Sequence, residues 1–104
     1  MLTLLRSACG SGRDCPNINR AESGPYSGGY VIVGYRTAQP STVEVPAALL
    51  PEWDTPARRT GDRLRVHGTP VTDAAVLAEL GMDEGEHAVL VHPADVPQVA
   101  AVLA

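Results

Sequence analysis

The chain has no lysine and no phenylalanine. Its basic side chains are eight arginines, at 6, 13, 20, 36, 58, 59, 63 and 65. Without lysine, neither a Schiff base nor a Walker-type phosphate site can be built. With one Trp and three Tyr as its only aromatics, the core must come from Val, Leu and Ala. That implies a thin domain, or one that gains burial against a partner. No apolar run is long enough to span a bilayer. The opening "MLTLLRSACG" is broken by Arg6 and too short for an export signal, so a cytoplasmic location and no membrane partner are expected. Serines occur without a nucleophile elbow, and glycines without the strand–loop–helix setting of a phosphate cradle. The expectation is a protein that is not an enzyme and has no cofactor, zinc being the one alternative.

There are only two cysteines, Cys9 and Cys15, both in "ACGSGRDCPNINR". Two thiolates at this spacing reach one metal if the intervening glycines fold the loop, and His67 would supply a third zinc ligand. The compact C-x-x-C of redox proteins is missing. The competing reading is two small, half-buried residues that tie a loop to the sheet.

What is present is a succession of short elements, punctuated by nine Pro and ten Gly. "LTLLR" reads as a short strand and 7–29 as an irregular Cys/Gly-rich loop or arm. "GYVIVGY" is apolar on both faces, which predicts a strand covered on both sides. "STVEV" alternates, with Val43 and Val45 inward, and "PAALL" follows as a helix start with Pro46 at its first position. "DRLRVHG" alternates Leu64 and Val66 against Arg63, Arg65 and His67. "TPVTDAAVLAELG" predicts a helix capped by Thr72 or Asp73 and stopped by Gly81. "HAVLVH" is a strand, and "PADVPQVAAVLA" a terminal helix beginning near Asp95. The expected fold is a single small α+β domain over 1–104. It has a mixed or antiparallel sheet with two or three short helices on one face.

The segments 29–53 and 61–104 rhyme. "VEVPAALLPEW" and "VLVHPADVPQV" share valine–x–valine, a proline turn and a second proline. A duplicated β-β-α unit, its second copy carrying a helical insertion, would account for this.

Twelve acids against eight arginines leave a formal net charge of −4, the wrong sign for a protein that tracks phosphates over a broad surface. The exception is "ARRTGDRLR", with Arg58, Arg59, Arg63 and Arg65. These four would have to converge on one face to bind nucleic acid. An adaptor would instead expose an apolar strip drawn from Tyr35, Trp53 and the terminal Val99, Val102 and Leu103.

The order "CGSGRDCPNINR", "GGYVIVGY", "VEVPAALLPEW" and "GEHAVLVHPADVPQV" resembles a group of small uncharacterised actinobacterial proteins. The resemblance implies a gene beside a helix-turn-helix regulator and action together with it, with no activity to carry over. Strand, V-x-V-P and short helix also resemble the half-units of swapped-hairpin DNA-binding domains, such as transition-state regulators and antitoxins. The chain departs from these in charge and in placing its arginines between the two copies. The leading expectation is therefore a non-enzymatic protein–protein interaction or regulatory accessory protein, acting as a homodimer or on a partner such as a regulator. The alternatives are a DNA binder using the 58–65 arginines and a zinc module.

Overall fold

"GYVIVGY" forms the strand around which the rest is arranged. In the computed structural model, which describes residues 1–9 and 15–103, this is β3 (Tyr30–Arg36). Antiparallel strands flank it: β1 (Leu2–Ser7), β2 (Asn17–Ala21), β4 (Thr42–Pro46), β5 (Arg59–Thr60), β6 (Arg63–His67), β7 (Thr69–Pro70) and β8 (Glu86–Val91). Two α-helices, α1 (Ala74–Leu80) and α2 (Pro97–Leu103), and three 3-10 turns complete an α+β fold.

The pairing closes on itself. Along one edge of β3 runs β8; along the other run β2, opposite Tyr30–Val33, and then β4, opposite Tyr35 and Arg36. β4 pairs with β6, β6 continues through Gly68 into β7, and β7 pairs with β8. In the ring β3–β8–β7/β6–β4, the strands β3, β4, β6 and β8 are thereby paired on both edges. Its inward residues are Tyr30, Ile32, Val43, Val45, Leu64, Val66, Val89 and Val91, all buried in one cluster. Valine dominates because a β-branched side chain fits a pleated, crowded interior.

The ladder also maps onto itself between the two halves. Tyr30, Val31 and Ile32 oppose Val91, Leu90 and Val89, just as Leu64, Arg65 and Val66 oppose Val45, Glu44 and Val43. Tyr35 and Arg36 oppose Glu44 and Val43, as Thr69 and Pro70 oppose Leu90 and Val89. Exchanging Tyr30 with Leu64, Gly34 with Gly68 and Val43 with Val89 carries these pairings onto one another. The turns after β4 and β8 match as well. Leu50 (φ −133°, ψ 62°) and Val96 (φ −136°, ψ 59°) end 3-10 turns, each just before a proline.

Gly34 and Gly68 stand where a strand changes partner. A Cβ on Gly34 would lie 2.6 Å from the Glu44 carbonyl oxygen, and one on Gly68 would collide with the Leu90 carbonyl. Only a residue without a side chain lets the backbones approach so closely.

Short helical segments cover one face of the sheet. Leu49 and Trp53 of two 3-10 turns, Val96 at the end of the third, and Val99 and Leu103 of α2 pack into the ring cluster. The opposite face of β3 and β8 carries Val31, Val33, Ala88 and Leu90, and Val76 and Leu80 of α1 lie over it. The Asp73 carboxylate accepts from the Val76 N–H at 3.1 Å, capping α1, and Gly81 ends it. Double coverage of β3 is what its two apolar faces predict.

Two expectations need correction. Within 7–29, residues 17–21 form strand β2, hydrogen-bonded to β1 and β3. Ile18 joins the ring cluster, while the buried Asn17 and Asn19 bond to each other, Asn19 Nδ2 donating to Asn17 Oδ1 at 2.6 Å. Part of that expected loop, 10–14, lies outside the described residues. "PAALL" forms the 3-10 turn Ala47–Leu49, not a helix, because Pro51 cuts off the next turn.

Candidate functional site

Among the described residues, no helix lies over the face of β4 and β6 that points away from the ring. By the exchange of halves, Arg65 and His67 hold the places of Val31 and Val33, and Thr42 and Glu44 those of Ala88 and Leu90. In one half, residues 71–85 between β7 and β8 carry α1; in the other, only residues 37–41 link β3 to β4. With no helix supplied, the outward positions are polar. They line a cleft of about 520 Å³ walled by Thr37, Ala38 and Gln39 on one side and Ala57 and Arg58 on the other.

The cleft is electropositive at its centre. The Arg65 N–H donates to the Arg58 carbonyl at 2.9 Å, which sets the two arginines side by side. Arg58 Nη1 donates to Thr55 Oγ1 at 3.2 Å, and its guanidinium lies 4.5 Å from the centroid of the Trp53 ring. Among the described residues, neither Arg58 nor Arg65 has a carboxylate within ion-pairing distance. His67 Nδ1 and Thr42 Oγ1 are hydrogen-bonded at 2.7 Å, so the buried threonine fixes the imidazole at the cleft wall. Glu44 is the one carboxylate lining the cleft, and Arg63 Nη1 stands 3.5 Å from it. Arg63 also stacks on Tyr35, 4.0 Å from the ring centroid. A smaller cleft of about 240 Å³ shares Arg58, Arg65 and His67 and reaches Trp53, Val91 and Val96.

The four arginines singled out from the sequence do not act together. Arg58 and Arg65 face the cleft, and Arg63 is engaged with Tyr35 and Glu44. Arg59 is held by a two-pronged bond to Asp54, both contacts 2.9 Å. This bond keeps the Asp54 carboxyl below the ordinary carboxylate range and raises the Arg59 guanidinium. Arg58 and Arg65 thus line the cleft with no carboxylate in ion-pairing distance among the described residues, a small positive site instead of a phosphate-tracking surface.

The expected zinc set is not assembled. Cys9 and Cys15 are joined to each other in a disulfide across the β1–β2 hairpin, and His67 is bonded to Thr42 in the cleft. No group of three or more metal-binding side chains occurs among the described residues. The expected apolar strip is likewise not on the surface. Trp53, Val99 and Leu103 are buried in the chain's own core, where Trp53 and Val99 follow Leu50 and Val96 in matching positions. Val102 is exposed and Tyr35 is half-buried under Arg63. The short turns after β4 and β8 fold these apolar residues back over the ring, which their spacing alone does not reveal.

The sequence marks His67 as a third zinc ligand and as one alternating residue of a strand, not as part of an arginine-lined cleft. The cleft itself depends on an absent helix, and its sequence trace is the five-residue link that replaces fifteen in the other half. No described helix is long and apolar enough to cross a membrane. No family model, curated protein or solved structure matches the chain.

Proposed function

We propose that the chain is a non-enzymatic binding module that holds an acidic segment of a partner protein. The observation that carries this reading is the pair Arg58 and Arg65, neighbours in an open cleft whose one carboxylate, Glu44, stands beside Arg63, with no ion pair to either arginine among the described residues. Guanidinium groups present forked donors that suit carboxylates. A lone carboxylate in water gains little from one exposed arginine, but two arginines and an imidazole in one concavity act on the same charge. The overall negative charge supports selectivity, because the net field repels an acidic segment while this cleft attracts it. The resemblance to proteins encoded beside helix-turn-helix regulators makes a regulator the kind of partner expected. The scarcity of exposed apolar side chains favours recognition by charge; among the described residues, Met1 and Val102 are the large apolar side chains that stand exposed.

Trp53, the only tryptophan, reports on the cleft through Arg58. Titration of the protein with a hexaglutamate peptide should change Trp53 emission, weaken with added salt, and lose about tenfold or more in affinity in the double variant Arg58→Ala, Arg65→Ala. A single-stranded oligonucleotide at the same salt should bind more weakly than the peptide. Equal peptide binding by the double variant, or tighter binding of the oligonucleotide, would overturn the reading.

A further inference from the structure

Resting on that reading, we infer that the cleft is the seat of a short helix from the partner, carrying acidic side chains at positions i and i+4. The chain shows this arrangement in its own other half. There Val76 and Leu80 of α1, four residues apart, share one apolar cluster with Val31, Val33, Ala88 and Leu90 on the outward face of β3 and β8, and with Leu2, Ala21 and Val71. The exchange of halves carries that surface onto Arg65, His67, Glu44 and Thr42 of β6 and β4. The backbone beneath has the same pairing and register, but the link 37–41 supplies no helix.

Residues four apart on a helix project from the same side. Over the first seat they meet apolar side chains and are apolar. Over the second they would meet Arg65 and His67, with Arg58 at the wall, and complementarity makes them Glu or Asp. Glu44 does not cancel this charge, because Arg63 stands beside it. The walls at Thr37–Gln39 and Ala57–Arg58 bound the seat on both sides, as expected for a site that takes one helix turn or two. An extended acidic strand would project alternate side chains to opposite faces, leaving half of its carboxylates away from the arginines.

Two alanine-based peptides of about 15 residues, long enough to be helical in water, separate the possibilities. One carries glutamates at i and i+4, the other the same glutamates at i and i+2, on different sides of the helix. The first should bind about tenfold more tightly by Trp53 emission, and Arg65→Val should erase the difference. Arg65 is exposed, and thermal unfolding of the variant checks that the fold is intact. If both peptides and hexaglutamate bind equally and all depend on Arg58 and Arg65, the helix seat is wrong while the acidic partner stands. If none binds, both readings fall.

Discussion

Replacing Gly34 by alanine tests the closure of the ring at one of its crowded corners. The new methyl carbon would stand 2.6 Å from the Glu44 carbonyl oxygen and 3.0 Å from two carbons of Val43. Ordinary contact begins at 3.4 Å, so something must move by about 0.8 Å (3.4 − 2.6). Neither neighbour yields easily. The oxygen belongs to the backbone of β4, and Val43 is fully enclosed in the ring. Forcing an extra methyl into such a place costs roughly 1–3 kcal/mol. Restricting the unfolded chain by the same change returns only about 0.4–1 kcal/mol. The net loss should be about 1–2 kcal/mol, and a domain of this size loses roughly 4–8 °C in Tm per kcal/mol. Thermal unfolding by circular dichroism, with urea unfolding followed by Trp53 emission, measures both quantities. Gly85→Ala is the matched control, since a Cβ there meets nothing within 4 Å, and its stability should stay the same or rise slightly. A Gly34→Ala protein as stable as the parent would show that β3 and β4 do not approach as described. An equal loss in Gly85→Ala would show that crowding is not the cause.

Two further outcomes test separate parts of the fold. The guanidinium of Arg6 grips Glu52 with bonds of 2.7 and 2.9 Å and also reaches the Leu49 carbonyl, anchoring β1 to the turns that cover the ring. The bond from Arg6 holds the Glu52 carboxyl below its ordinary range. Its stabilisation is therefore complete above the unfolded carboxylate value of about 4.3 and fades as pH falls through the lower folded value. Glu52→Gln should cost about 1–2 kcal/mol at neutral pH, with the difference from the parent shrinking in acid. A urea-unfolding difference that does not change with pH would refute this. For the hairpin disulfide, serine at both Cys9 and Cys15 should lower stability by roughly 2 kcal/mol through loop entropy. Reductant should do the same to the parent and nothing to the variant; a parent indifferent to reductant would sink the expectation.

Elements with a strong period were legible from the sequence, and those that depend on distant partners were not. Val43 and Val45, or Leu64 and Val66, alternate with polar neighbours and announce strands. Asp73 and Gly81 frame α1 by local chemistry alone. β2 escaped because "NINRA" offers one apolar anchor between two asparagines, and it becomes a strand only when β1 and β3 supply its hydrogen bonds. The burial of Trp53 and Leu103 was hidden for a related reason. An isolated apolar residue after a proline looks the same whether its turn folds inward or outward. For the cleft, residue types were visible but not their grouping. Arg59 and Arg65 are equivalent in the string, and only Asp54 beside Arg59 distinguishes the occupied arginine from the free one.

The interlocked pairing bears on how the chain can be divided. β3 takes its longest ladder from β8 and β4 takes its own from β6, so the ring is completed only by strands from both halves. A polypeptide severed in the joint at 54–57 would yield two pieces with no complete core apiece, folding only as a reconstituted pair. The same reciprocity lets two intact chains trade halves and build the identical ring twice, at no cost in contacts.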